Sequence, residues 1–188
     1  MDHVAIMKKS WGLIPKILDG RKKIESRWGV NKCAPWGKVK AGDRVYFKNS
    51  GEPVTVVAEV SKIQEFGNMN SKKVREILEK FGEDDGINRE EISGYYKRFK
   101  DKKYCLLIYL KNPQKIKPFD IDKTGFGAMA AWICVGKISH IKRPLNKKTK
   151  INAGNMLLKL ASKAGKGPKD LSSNFFEYAY GKKSSYAK

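Results

Sequence analysis

Gly20-Arg21-Lys22-Lys23-Ile24-Glu25-Ser26-Arg27 follows directly on the apolar run Leu13, Ile14, Ile17 and Leu18. The spacing of that run predicts a short helix, with Pro15 tolerable near its start. Gly20 predicts where the helix stops, because only Gly takes a left-handed backbone without steric cost. From Lys22 onward the chain reads as extended. In that geometry Lys22, Ile24 and Ser26 face one side, and Lys23, Glu25 and Arg27 the other. A short strand carrying so much charge is ill suited to a core and reads as the wall of a polar cleft. The competing reading is a solvated strand of ion pairs, which contribute little to stability.

Working outward, His3 to Met7 reads as a first strand. Trp28 to Lys40 holds Gly29, Pro35 and Gly37 and reads as a loop. Arg44 to Phe47 is a strand, Asn49-Ser50-Gly51-Glu52-Pro53 a turn, and Val54 to Val60 a long β-branched strand. Val74, Ile77, Leu78 and Phe81 stand at helical spacing, with Gly82 as the stop. Asn88 and Glu91 have the spacing of a capping pair before Ile92, Tyr95, Tyr96 and Phe99. Tyr104 to Leu110 is an apolar strand. Asn112 to Phe119, with two prolines, reads as a surface linker, and Ala131 to Ile141 as a final strand interrupted by Gly136. This order suits an α+β domain built on a small mixed or antiparallel β-barrel flanked by helices. The domain is expected over residues 1–144, followed by a basic, partly helical extension over 145–188.

Gly20, Lys22, Glu25 and Arg27 fit the pattern G-x-K-x-x-E-x-R, which resembles the signature of the ASCH domain, a small barrel similar to the PUA domains of RNA-modifying proteins. Ala41-Gly42-Asp43-Arg44-Val45-Tyr46-Phe47, the Ser50-Gly51 turn and the Val54 to Val60 strand follow in the family's order. The resemblance spans roughly residues 3 to 111. It implies that Lys22, Glu25 and Arg27 line a cleft between barrel and helix. It also offers an alternative function. Some ASCH proteins resemble amidohydrolases that remove an acyl group from modified cytidines, and others have been linked to ribonuclease activity. In the amidohydrolases the motif Lys acts with a Thr and a distant Glu. Here Glu25 replaces the Thr, and Glu65, Glu76, Glu79, Glu83, Glu90 and Glu91 are all positional candidates for the distant acid. Catalysis by Lys22 and Glu25 would require burial to depress the Lys pKa.

Forty Lys and Arg against nineteen Asp and Glu leave a net charge of +21. Residues 142–188 hold twelve basic and two acidic side chains, hence +10 of the total. Such an excess attracts polyanions. The expected partner is RNA, or alternatively single-stranded DNA, with one nucleotide held in the cleft. Arg offers a planar fork to phosphate or a base edge, and Glu can accept from a base amino group. Trp28 follows the motif Arg. Trp36 lies in a Gly/Pro loop near Lys38 and Lys40, where it either stacks a base or caps the barrel end. Lys48 and Ser50 border the Gly51 turn, whose amides are further donors. Lys147 and Lys148 read as phosphate contacts without sequence information. A third class, a protein-interaction module docking through the aromatic tail, remains open.

Cys33, Cys105 and Cys134 form no CxxC pair, and neither His3 nor His140 has a cluster of Cys, Asp or Glu beside it in sequence, so no metal is expected. Thr124 to Ala128 is Gly-rich but lacks a preceding strand, which excludes a P-loop or dinucleotide fingerprint and leaves no cofactor expected. No signal-peptide pattern opens the sequence, and the longest apolar run, Ala128 to Val135, is too short for a membrane span. A cytoplasmic protein away from the membrane is the expectation.

Overall fold

The computed structural model describes residues 1–127 and 129–145. The expectations placed on Lys147, Lys148 and the rest of the basic extension lie outside them. The described elements run β1 (Asp2–Met7), α1 (Leu13–Leu18), β2 (Ile24–Gly29), β3 (Arg44–Asn49), β4 (Val54–Phe66), α2 (Ser71–Phe81), α3 (Ile92–Phe99), β5 (Tyr104–Ile121), β6 (Trp132–Val135) and β7 (Lys142–Arg143). A 3-10 turn at Lys9–Trp11 leads into α1.

The strands form one mixed sheet in the order β2-β5-β4-β3-β1-β6, with β7 paired to the far end of β5. Only β1 and β3 run parallel; β1 also pairs antiparallel with β6. The sheet curls into a half-barrel. This agrees in outline with the small mixed barrel flanked by helices that the sequence led us to expect, with one side left open among the described residues. Its path ends at β2 on one side and β6 on the other, and these two strands share no ladder.

Period-2 alternation sorts side chains between two apolar layers. Ala5, Val45, Phe47, Val56, Ala58, Leu106 and Ile108 gather with Ile14 and Ile17 of α1 in one core. Ile24, Cys105 and Leu107 project the other way, onto Val74, Ile77 and Leu78 of α2. A third cluster joins Val4, Tyr46, Val54, Phe119 and Ile133.

Two expectations need correction. Asn112 to Phe119 is not a linker but the continuation of β5, which runs eighteen residues. Its prolines are tolerated because β2 pairs only with residues 104–109, so Pro113 and Pro118 stand where one edge of β5 makes no ladder. Ala131 to Ile141 is not one strand. β6 stops at Val135, and a 3-10 turn at Ile138–His140 separates it from β7. Among the described residues, no helix is long and apolar enough to cross a membrane.

Candidate functional site

β2 begins only at Ile24, so the strand alternation does not reach Lys22 and Lys23. The Lys22 amide donates to the Lys16 carbonyl, and the amides of Lys23 and Ile24 both donate to the Asp84 carbonyl. These bonds turn the Lys23 side chain outward to Asp84 and the Lys22 side chain inward. Lys22 therefore joins Glu25 instead of facing away from it, which corrects the face assignment drawn from sequence.

Lys22 is 3 % exposed and Glu25 5 %. The Lys22 ammonium lies 3.3 Å from Glu25 Oε2 and donates at 2.5 Å to Asp85 Oδ1 and at 2.9 Å to the Asp85 carbonyl. Arg27 reaches Glu25 Oε1 at 2.8 Å. The Ser26 hydroxyl donates to Asp85 Oδ2 at 2.5 Å and accepts from the Trp28 indole at 2.9 Å. Two cations and two carboxylates thus form a balanced buried cluster. Burial pulls the Lys22 pKa down, but Asp85 and Glu25 more than offset it, so the ammonium titrates above its ordinary value. Burial holds Asp85 up, with Glu25 adding to it and Lys22 opposing. The condition for Lys22 to act as a base or nucleophile, a depressed pKa, is not met.

The second carboxylate beside Lys22 is Asp85, and among the described residues none of the six Glu candidates is an ion partner of Lys22. Asp85 arrives on the turn after α2, where Gly86 takes a φ of +77°. A Cβ at Gly86 would lie 3.2 Å from Lys22 Cβ, so the turn closes tightly onto the motif. The visible sequence signal was Asp84-Asp85-Gly86 directly after an amphipathic helix; a search confined to Glu passes over it.

Arg27 is the member that reaches the surface, with a fifth of its side chain exposed (21 %). Its guanidinium lies 4.7 Å above the Trp132 ring and donates to the Ala131 carbonyl at 3.3 Å. Arg27 thereby spans the gap between β2 and the start of β6. It borders two cavities. One, of about 190 Å³, lies between the ion cluster and α3 and is bordered by Lys22, Glu25, Ser26, Asp85, Trp11 and Arg98. The other, of about 360 Å³, occupies the open seam of the half-barrel and is walled by Trp28, Trp36, Tyr104 and Trp132.

The remaining expected residues divide. Trp28 stacks one face of its ring on Phe99 at 4.8 Å and borders both cavities. Trp36 is in the seam, edge-on to Tyr104. Trp132 lines the seam and also donates its indole N–H to His3 Nδ1. Lys38 and Lys40 are exposed on the loop and do not line either cavity. Lys48 is buried on β3, where burial lowers its pKa and Asp120 counteracts; it is not brought to the motif. Ser50 is exposed in its turn, and its amide is already committed to the Met7 carbonyl. Among the described residues no group of His, Cys, Asp and Glu could hold a metal ion.

A crystal structure of ASCH from Zymomonas mobilis superimposes with a TM-score of 0.52, at 15% identity, over 76% of this chain and 97% of that one. The fold is ASCH-like. Two single-residue variants of the Zymomonas mobilis ASCH protein match equally, each with a TM-score of 0.53 over 74% of this chain, at 15% and 16% identity and over 93% and 91% of their own length. No protein-family model matches the sequence, and no curated protein does. Glu25 and Arg27 of the motif stand on β2, at one margin of the open sheet, and Lys22 lies just before it.

Proposed function

We propose that the protein binds single-stranded RNA and holds one nucleotide beside Arg27. The observation that carries this reading is the position of Arg27. It is the partly exposed member of an otherwise buried ion cluster, it borders both cavities, and it belongs to a chain of net charge +21. Its role differs from that of Lys22, whose charge is spent on Asp85 and Glu25 and holds the wall in place. Exposed lysines such as Lys38 and Lys40 attract the phosphodiester backbone without reading sequence. The ASCH-like fold is similar to PUA domains of RNA-modifying proteins, which agrees with such a partner. A salt titration of binding to a short RNA tests the proposal. Affinity should fall linearly on a logarithmic scale between about 50 and 200 mM salt, with a slope near −0.7 per phosphate contacted. Absence of binding at low salt, or binding indifferent to salt, would overturn it.

A second reading, hydrolysis of an acylated cytidine-type nucleoside, is favoured by one observation. Ser26, Asp85 and Lys22 form a continuous hydrogen-bonded array at the small cavity. It supplies a hydroxyl one residue after the position where Glu25 removed one. Release of free acid from acylated cytidine, lost in Asp85→Asn, would establish it; no release by the intact chain would remove it.

A further inference from the structure

We infer that the seam of the half-barrel is a socket for one unstacked nucleobase of the bound strand. It is distinct from the small cavity over Lys22, Glu25 and Asp85. This rests on the RNA reading above and adds where a base goes and what holds it. A closed barrel would have its strands hydrogen-bonded all round. Here β2 and β6 stand apart, and the gap is filled by side chains and an opening of about 360 Å³. That volume falls at the lower end of the range for small-molecule sites.

The walls have the chemistry of a stacking site. Trp36 and Tyr104 meet at 73° with centroids 5.4 Å apart, giving two perpendicular aromatic faces. The floor is Trp132, overlaid by the Arg27 guanidinium. A guanidinium seated over an indole can also attract the π-face that every base carries. The opening already attracts charge. Lys32 is exposed, and its ammonium lies 5.5 Å from the centroids of both Trp36 and Tyr104. A base entering the opening beside these touching rings would carry its phosphate on the side where Lys32 stands. Trp28 contributes to the wall, with one face of its ring stacked on Phe99. Polar recognition inside the socket is sparse, so the site prefers a base over no base more strongly than one base over another.

The full chain is measured by fluorescence anisotropy against two labelled pentanucleotides at low salt. One is oligouridine; the other has the same ribose-phosphate backbone without bases. The wild type should bind the base-bearing strand more tightly, by about five- to a hundredfold, the span of one stacked base. Trp36→Leu keeps apolar volume and removes the π-face. It should abolish most of that difference while leaving affinity for the abasic strand unchanged. Equal wild-type affinities for the two strands would overturn the socket and leave RNA binding standing; that comparison needs no variant to fold. Failure to bind either strand would overturn the RNA reading itself and the socket with it. A full base preference retained in a folded Trp36→Leu would move the base out of the seam and overturn the assignment.

Discussion

At the residue scale, Lys22 is held by partners it could not replace with water. Its two carboxylates balance it together with Arg27, so removing Lys22 alone leaves negative charge uncompensated in the interior. Lys22→Met is expected to cost about 3–5 kcal/mol in a urea unfolding series. Adding Asp85→Leu should recover a large part of that loss, because Glu25 then keeps Arg27 and the cluster is again neutral. A loss in the double variant equal to the sum of the two single losses would show that the two residues are not coupled. His3 gives a pH dependence. Its Nδ1 accepts from Trp132 and its Nε2 faces Asp43 at 3.1 Å. Burial lowers its pKa below the ordinary 6.5, against the pull of Asp43. The unfolded chain therefore binds the proton first as pH falls, and stability present above pH 6.5 is lost below it. The unfolding midpoint should drop between pH 6.5 and about 5, and His3→Gln should flatten that slope.

At the scale of elements, α2 carries the delivery of Asp85, so its ends matter to the site. Asn70 caps it, accepting from the Lys73 amide at 2.9 Å. Asn70→Ala should lower stability by about 1 kcal/mol, and Asn70→Asp should not. The capping pair at Asn88 and Glu91 forms as its spacing implied. The helices and the strands up to Val60 were legible because each carries a local period or a Gly stop, whereas the continuation of β4 to Phe66 was not read. β5 beyond Leu110 was not, because Pro113 and Pro118 signal a break that only an unpaired edge makes harmless. Glu25 and Arg27 were legible through the motif. Asp85 was not, because nothing local connects a turn at residue 85 to a lysine at 22. The seam was also hidden, since its walls come from β2, the loop after it, β5 and the approach to β6.

At the scale of the molecule, forty basic and nineteen acidic side chains repel one another on balance. Screening should relieve that, so the urea midpoint is expected to rise when salt is raised from about 10 to 150 mM, where the Debye length shrinks to about 8 Å. A chain held chiefly by surface ion pairs would show the opposite sign. The open seam has one more consequence. An incomplete barrel ends in two strands with unpaired backbone, and such edges invite other copies of the chain to add on. Among the described residues β2 and β6 stand apart and Arg27 reaches across from one to the approach of the other, its guanidinium bonded to the Ala131 carbonyl. The same side chain that borders the ligand opening therefore also occupies a margin that could otherwise template intermolecular sheet. Opening this fold wider to admit a larger guest would be limited by aggregation before it was limited by stability.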